Sequence, residues 1–134
     1  MVMRREFDEL SGKVIGAAIE VHRSLGPGFL EGVYEQALRI ELGKRKIPFE
    51  SQKEILVKYE GQIVGRHVLD LLVNGVLVVE LKSVVSFEQV HVAQVKSYLR
   101  AAGSSVGLLL NFGGTKLDVK RVVLHFEESE AASV

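Results

Sequence analysis

The sequence predicts one α+β domain, a mixed central β-sheet flanked by helices. Two observations predict it. Apolar residues recur at helical spacing in three segments. Between and after them run short stretches rich in Val, Leu and Ile whose apolar content is nearly continuous, as in a sheet covered on both faces. The element order is α-α-β-β-β-α-β-β, and a single α/β or α+β layer arrangement is the economical assembly.

Residues 8–25 place Leu10, Val14, Ala17, Ala18, Val21 and Leu25 on one helical face. Gly26-Pro27-Gly28 stops that helix. A second helix is expected over 29–45, with Leu30, Val33, Tyr34, Ala37, Leu38 and Leu42 on its apolar arc. Glu31 falls inside that arc, about 20° from the direction of Leu38. Glu41 falls there too, further along. An acid in the first turn also suits the positive end of the helix dipole.

Strands are expected over 53–59, 66–73 and 76–82. Glu60-Gly61 turns between the first two, and Asn74-Gly75 is a strong hairpin signal between the next two. The clearest helix spans 86–103, with Ser86 and Gln89 as a capping box and Gly103 as its stop. Strands over 105–112 and 117–126 close the domain.

The 134 residues suit one domain, with a core over 8–126 and an acidic tail at 127–134 that is expected to fray. Lys plus Arg and Asp plus Glu each number 17, so the net charge is zero. That argues against a sequence-independent basic nucleic-acid binder and leaves room for a local basic groove. The chain has no cysteine, which excludes disulfides and thiolate zinc sites. It has no apolar run long enough to span a membrane and no apolar leader at its start. A cytoplasmic protein is expected.

Asp70, Glu80 and Lys82 interrupt otherwise apolar strands. Burying an unpaired carboxylate costs several kcal/mol or shifts its pKa. Period-2 geometry sets Glu80 and Lys82 on one face. Asp70 joins them only if the turn is not a tight two-residue loop. A three-residue loop with Gly75 left-handed, pairing 72 with 76, places Asp70 opposite Val78 and beside Glu80. Two carboxylates and a lysine at one spot suit Mg²⁺-assisted attack on a phosphodiester. A buried Glu80–Lys82 or Asp70–Lys82 ion pair without chemistry is the competing reading.

On the helix at 87–102, Phe87, Val90, Val95, Leu99, Ala101 and Ala102 define the apolar arc. His91, Gln94 and Tyr98 fall inside it, and buried polar groups need partners. Gln94 and Tyr98 either satisfy backbone at a sheet edge or line a cleft. His91 is read as structural. His22, His67 and His125 show no mutual metal-ligand spacing.

Gly28-x-x-Glu31-x-x-Tyr34 resembles the signature of the GxxExxY protein family, which is grouped with the PD-(D/E)XK nuclease superfamily. The segment from Val68 to Ser83 resembles the superfamily's Asp…Glu-x-Lys hairpin, with Asp70, Glu80 and Lys82 on the motif positions. Residues 91–103 resemble its Gln-x-x-x-Tyr helix, matching Gln94 and Tyr98, and 107–113 its following strand. Leu69 stands where the motif often has proline. The resemblance covers roughly 8–124. It implies a restriction-endonuclease-like core with a four-stranded mixed sheet. It also implies that Glu31 completes a metal site.

The expected function is a metal-dependent nuclease acting on nucleic acid, DNA first of all. Asp70, Glu80 and Glu31 are the expected ligands of Mg²⁺ or Mn²⁺. Lys82 is expected to position the attacking water, and Gln94 and Tyr98 to meet the substrate or brace the catalytic groups. Neutral charge and small size point to a homodimer or a partner that delivers substrate. The alternative is a non-catalytic nucleic-acid or protein-interaction module on the same scaffold.

Overall fold

Two helices, α1 (Arg4–Leu25) and α2 (Glu31–Lys44), open the computed structural model, which describes residues 4–124. Strands β1 (Phe49–Tyr59), β2 (Gln62–Val73) and β3 (Leu77–Lys82) follow, then α3 (Gln89–Ala102), β4 (Val106–Asn111) and β5 (Asp118–Val123). The fold class and the element order are those the sequence predicts. The sheet has five strands, in the order β1-β2-β3-β4-β5. These are the five strands the sequence predicts, one of them additional to the four-stranded core that the resemblance implies. His125 and the tail at 127–134 lie outside the described residues.

Neighbouring strands are antiparallel except β3 and β4, which run parallel from Val78↔Gly107 to Lys82↔Asn111. A parallel pair needs a crossover, and α3 supplies it. The sheet is covered on both faces. Leu71, Val79, Leu81 and Leu108 pack under α1 and α2, whose buried residues include Val14, Ala18, Tyr34 and Leu38. Leu69, Leu72, Val78 and Leu109 pack under Val95, Tyr98 and Leu99 of α3. Two-sided burial is why β4, and β3 apart from Glu80 and Lys82, read as nearly continuous apolar runs.

Helix faces depart from expectation at their first turns. On α2 the buried row is Tyr34, Leu38 and Leu42, whereas Leu30 is 82% exposed and Val33 is exposed as well. The helix starts at Glu31, so its first turn stands clear of the core. On α3, Val90 is exposed, and the buried residues are Val95, Tyr98 and Leu99. Its N-cap is Glu88 rather than Ser86. His91 Nδ1 accepts the Glu88 backbone N–H at 3.0 Å, the part expected of Gln89. Gly103, left-handed at φ 70°, ends the helix as predicted. Glu41 is accounted for by ion pairs to Arg45 and Lys44, and the Arg45 hydrogen bond lowers its pKa.

Candidate active site

The β2–β3 turn decides which side chains meet. Asn74 (φ 52°) and Gly75 (φ 70°) are both left-handed, and the Val76 N–H donates to Val73 O at 3.1 Å. The ladder then runs Val73↔Leu77, Leu72↔Val78 and Leu71↔Val79. Three residues, 74–76, therefore form the loop, and the tight two-residue pairing is not made. The register differs from the expected 72-with-76 pairing by a step that preserves the face. One pair further on, Asp70 falls across from Glu80 instead of Val78.

At that point the backbone ladder gives way to side chains. The Asp70 N–H donates to Glu80 Oε1 at 2.9 Å. In return the Leu81 N–H donates to Asp70 Oδ2, also at 2.9 Å. Each acid thus satisfies a backbone donor of the opposite strand. Glu80 is 3% exposed. Burial, with the charge of Asp70 as the second cause, pushes its pKa up to about 9. Lys82 is half-buried at the end of β3. Among the described residues no ion pair joins Lys82 to Asp70 or Glu80. The competing ion-pair reading is therefore not what the hairpin forms. It forms two adjacent carboxyl groups that no cationic side chain pairs with among the described residues, and the charge of Lys82 only weakly opposes the rise in the Glu80 pKa.

Glu31 enters from the other side of the sheet. Gly28 (φ 109°) turns the chain in a conformation that L side chains rarely adopt. Tyr34 pins that turn: its hydroxyl donates to Gly26 O at 2.6 Å and accepts the Phe29 N–H at 3.2 Å. Its ring stacks on Phe112, centroids 4.7 Å apart and 16° from parallel. Ser83 Oγ donates to Phe29 O at 3.0 Å, tying the turn to the segment after β3. The tyrosine of the Gly-x-x-Glu-x-x-Tyr pattern therefore fills the core and holds the turn.

The Glu31 residue is exposed, not buried on the apolar arc. Its carboxyl is nonetheless crowded enough that desolvation raises its pKa, with Lys82 opposing and Asp70 reinforcing the shift. Glu31 stands at the rim, within electrostatic reach of both. Among the described residues no three His, Asp or Glu side chains gather closely enough to hold a metal ion. Asp70 and Glu80 are the pair brought together, and Glu31 lies outside that pair.

From α3, Tyr98 stands within electrostatic reach of the acids. Tyr98 is 9% exposed, and its ring lies 4.6 Å from that of His67. Burial raises its pKa first, and the charges of Glu80 and Asp70 add to the shift. Gln94, one turn earlier, is exposed.

Asn111 is a residue the sequence reading missed. It sits beside Lys82 in the parallel register and is 2% exposed. Its Oδ1 accepts the N–H groups of Val84 and Gly113, both at 3.0 Å, and its Nδ2 donates to Val84 O at 2.9 Å. The Phe112 N–H donates to Lys82 O at 2.8 Å. Gly113 is needed here, since a Cβ would stand 2.3 Å from Val84 O. These contacts fix the strand end that carries Lys82. The available signal was a lone amide closing an apolar run before Phe112 and two glycines.

A solved structure titled "Crystal structure of SSO0001" resembles the chain with a TM-score of 0.57 at 17% identity. The alignment covers 76% of this chain and 54% of that one, so the chain spans about half its length. At that identity the likeness concerns the fold alone. No curated protein matches. Residues 8–122 match the family model of the PD-(D/E)XK nuclease superfamily. With most of its length matched, and with Asp70, Glu80 and Lys82 on one face of the hairpin, the chain belongs to the PD-(D/E)XK nuclease superfamily.

Proposed function

We propose that the protein is a metal-dependent nuclease that hydrolyses phosphodiester bonds of nucleic acid, DNA first of all. One observation carries the proposal: Glu80 is buried beside Asp70, and among the described residues no cationic side chain is paired to either. A buried anion pair is stable only when protonated or when a cation joins it. Mg²⁺ suits two carboxylates, since it keeps waters and takes substrate phosphate oxygens as its other ligands. Mn²⁺ accepts the same oxygen donors. When bound, such an ion stabilises charge on the phosphate and lowers the pKa of a bound water.

The remaining work falls to the chain's own residues. Lys82, which forms no ion pair among the described residues, orients the attacking water or donates to the developing negative charge. Glu31, at the rim, serves as an outer acid of the metal site. Tyr98, which feels the charge of the acid pair, braces the catalytic groups, and exposed Gln94 meets the substrate. Membership of the superfamily supports the nuclease class, and we read the Gly28–Tyr34 segment as placing the chain in its GxxExxY branch. Among the described residues no helix is long and apolar enough to cross a membrane. A cytoplasmic protein working as a homodimer, or with a partner that delivers substrate, is consistent with the neutral charge.

Titration calorimetry with Mn²⁺ tests the metal site. Wild type should bind and Asp70→Ala should not; absence of binding to wild type overturns the proposal. With single- and double-stranded DNA plus Mn²⁺, Lys82→Ala should cut more slowly than wild type by about 10²-fold or more. Metal binding with no cleavage of either strand form is the result expected of a binding module on this scaffold.

A further inference from the structure

A cavity of about 490 Å³ opens between β1, β2 and α3, lined by Leu56, Val57, Lys58, His67, Ser97 and Arg100. His67 Nε2 and Ser97 Oγ are 2.8 Å apart, so a polar pair from β2 and α3 joins its floor. Lys58 and Arg100 are exposed, and among the described residues neither takes part in an ion pair. The Tyr98 ring links His67 of this cavity to the acid pair. That ring touches His67, and its hydroxyl feels the charges of Glu80 and Asp70.

We propose that this groove holds the phosphates of the nucleic-acid strand that flank the scissile one. The inference rests on the nuclease reading and adds to it the path of the substrate. A chain of zero net charge needs locally unpaired cations to hold a polyanion. Lys58 and Arg100 supply two, and Ser97 with His67 supplies polar partners between them. Three residues of strand separate His67 from Asp70, about 10 Å. That matches an axial rise of about three nucleotides. Leu56 and Val57 offer an apolar wall to sugars and bases.

A cavity with three basic residues suits this role less well. It gathers Lys13, Arg45 and Lys46 beside Asn74, at the turn end of the β2–β3 hairpin. Its Arg45 is committed to Glu41 at 2.8 Å.

The test is fluorescence anisotropy with short labelled single-stranded DNA and RNA, in Ca²⁺ so that the strand stays intact. The Lys58→Ala/Arg100→Ala double variant should bind about tenfold more weakly than wild type. Its slope of log affinity against log salt should be shallower by about 1.4, or about 0.7 per lost phosphate contact. Lys13→Ala/Lys46→Ala removes the same charge at the far cavity and should leave affinity and slope near wild type. Equal losses in the two double variants, or none in the first, overturn the groove while Mn²⁺-dependent cleavage by wild type keeps the nuclease reading standing. Wild type that neither binds nor cuts nucleic acid overturns both.

Discussion

A buried amide that meets three backbone groups leaves all three stranded when it is removed. Asn111→Ala would orphan the Val84 N–H, the Val84 carbonyl and the Gly113 N–H. Each stranded group costs about 1–3 kcal/mol, so the variant should lose about 3 kcal/mol or more. Urea denaturation of the two proteins measures it. Asn111→Asp keeps the acceptor and lacks the donor, and should fall between them. The residue matters for more than stability, because Val84 is two positions from Lys82. No periodicity rule flags such a position. Asn111 ends a strand, where polar residues are ordinary, and only the approach of the 83–85 segment gives it work. Asp70 and Glu80 were legible for the opposite reason: charges inside an apolar run have few structural uses.

At the scale of elements, the two ends of α3 behave differently. Its C-terminus follows from Gly103, which adopts the left-handed conformation that the sequence predicts. Its N-terminus does not follow from Ser86, because His91 rather than Gln89 closes the first turn onto Glu88. His91→Ala should therefore destabilise the protein by about 1 kcal/mol, read as a lower thermal midpoint, and His91→Gln should restore most of it. Histidine is a rare choice at that position, so spacing alone pointed to the commoner Ser and Gln. The hairpin shows a related limit. Asn74-Gly75 fixes that the chain turns, but the face on which Asp70 lies depends on one extra residue, Val76. That residue is set by the ladder and not by the dipeptide. Likewise the apolar arc of α2 included Leu30 and Val33. The pattern records which side is apolar, while the end of the sheet determines where burial stops.

For the whole molecule, Glu80 couples stability to pH. Its folded pKa is raised from 4.5 to about 9. Below about pH 4.5 the folded and unfolded chains both hold the proton, and the contribution is at its fullest. Between the two values the folded chain holds a proton that the unfolded chain has released, so stability declines as pH rises toward 9. Metal-free protein should melt at lower temperature at pH 8.5 than at pH 5.5, checked by thermal scans in EDTA. Glu80→Gln should flatten that dependence. A divalent ion should reverse it, since a cation takes the place of the proton and binds only the folded pair. The fold is otherwise carried by two independent apolar layers on either face of the sheet. The acid pair sits at the edge of the layer under α3, where a local change of charge need not disturb the layer under α1 and α2.

The exchange of donors between Asp70 and Glu80 gives the hairpin an internal gauge. The amide hydrogens of Asp70 and Leu81 end on carboxyl oxygens rather than on carbonyls of the ladder. Their protection from solvent exchange, and their amide chemical shifts, therefore follow whatever the acids are doing. A proton, an ion or a passing phosphate at the pair registers in two backbone signals on neighbouring strands, while those of Leu71 and Val79, within the regular ladder, serve as the fixed reference.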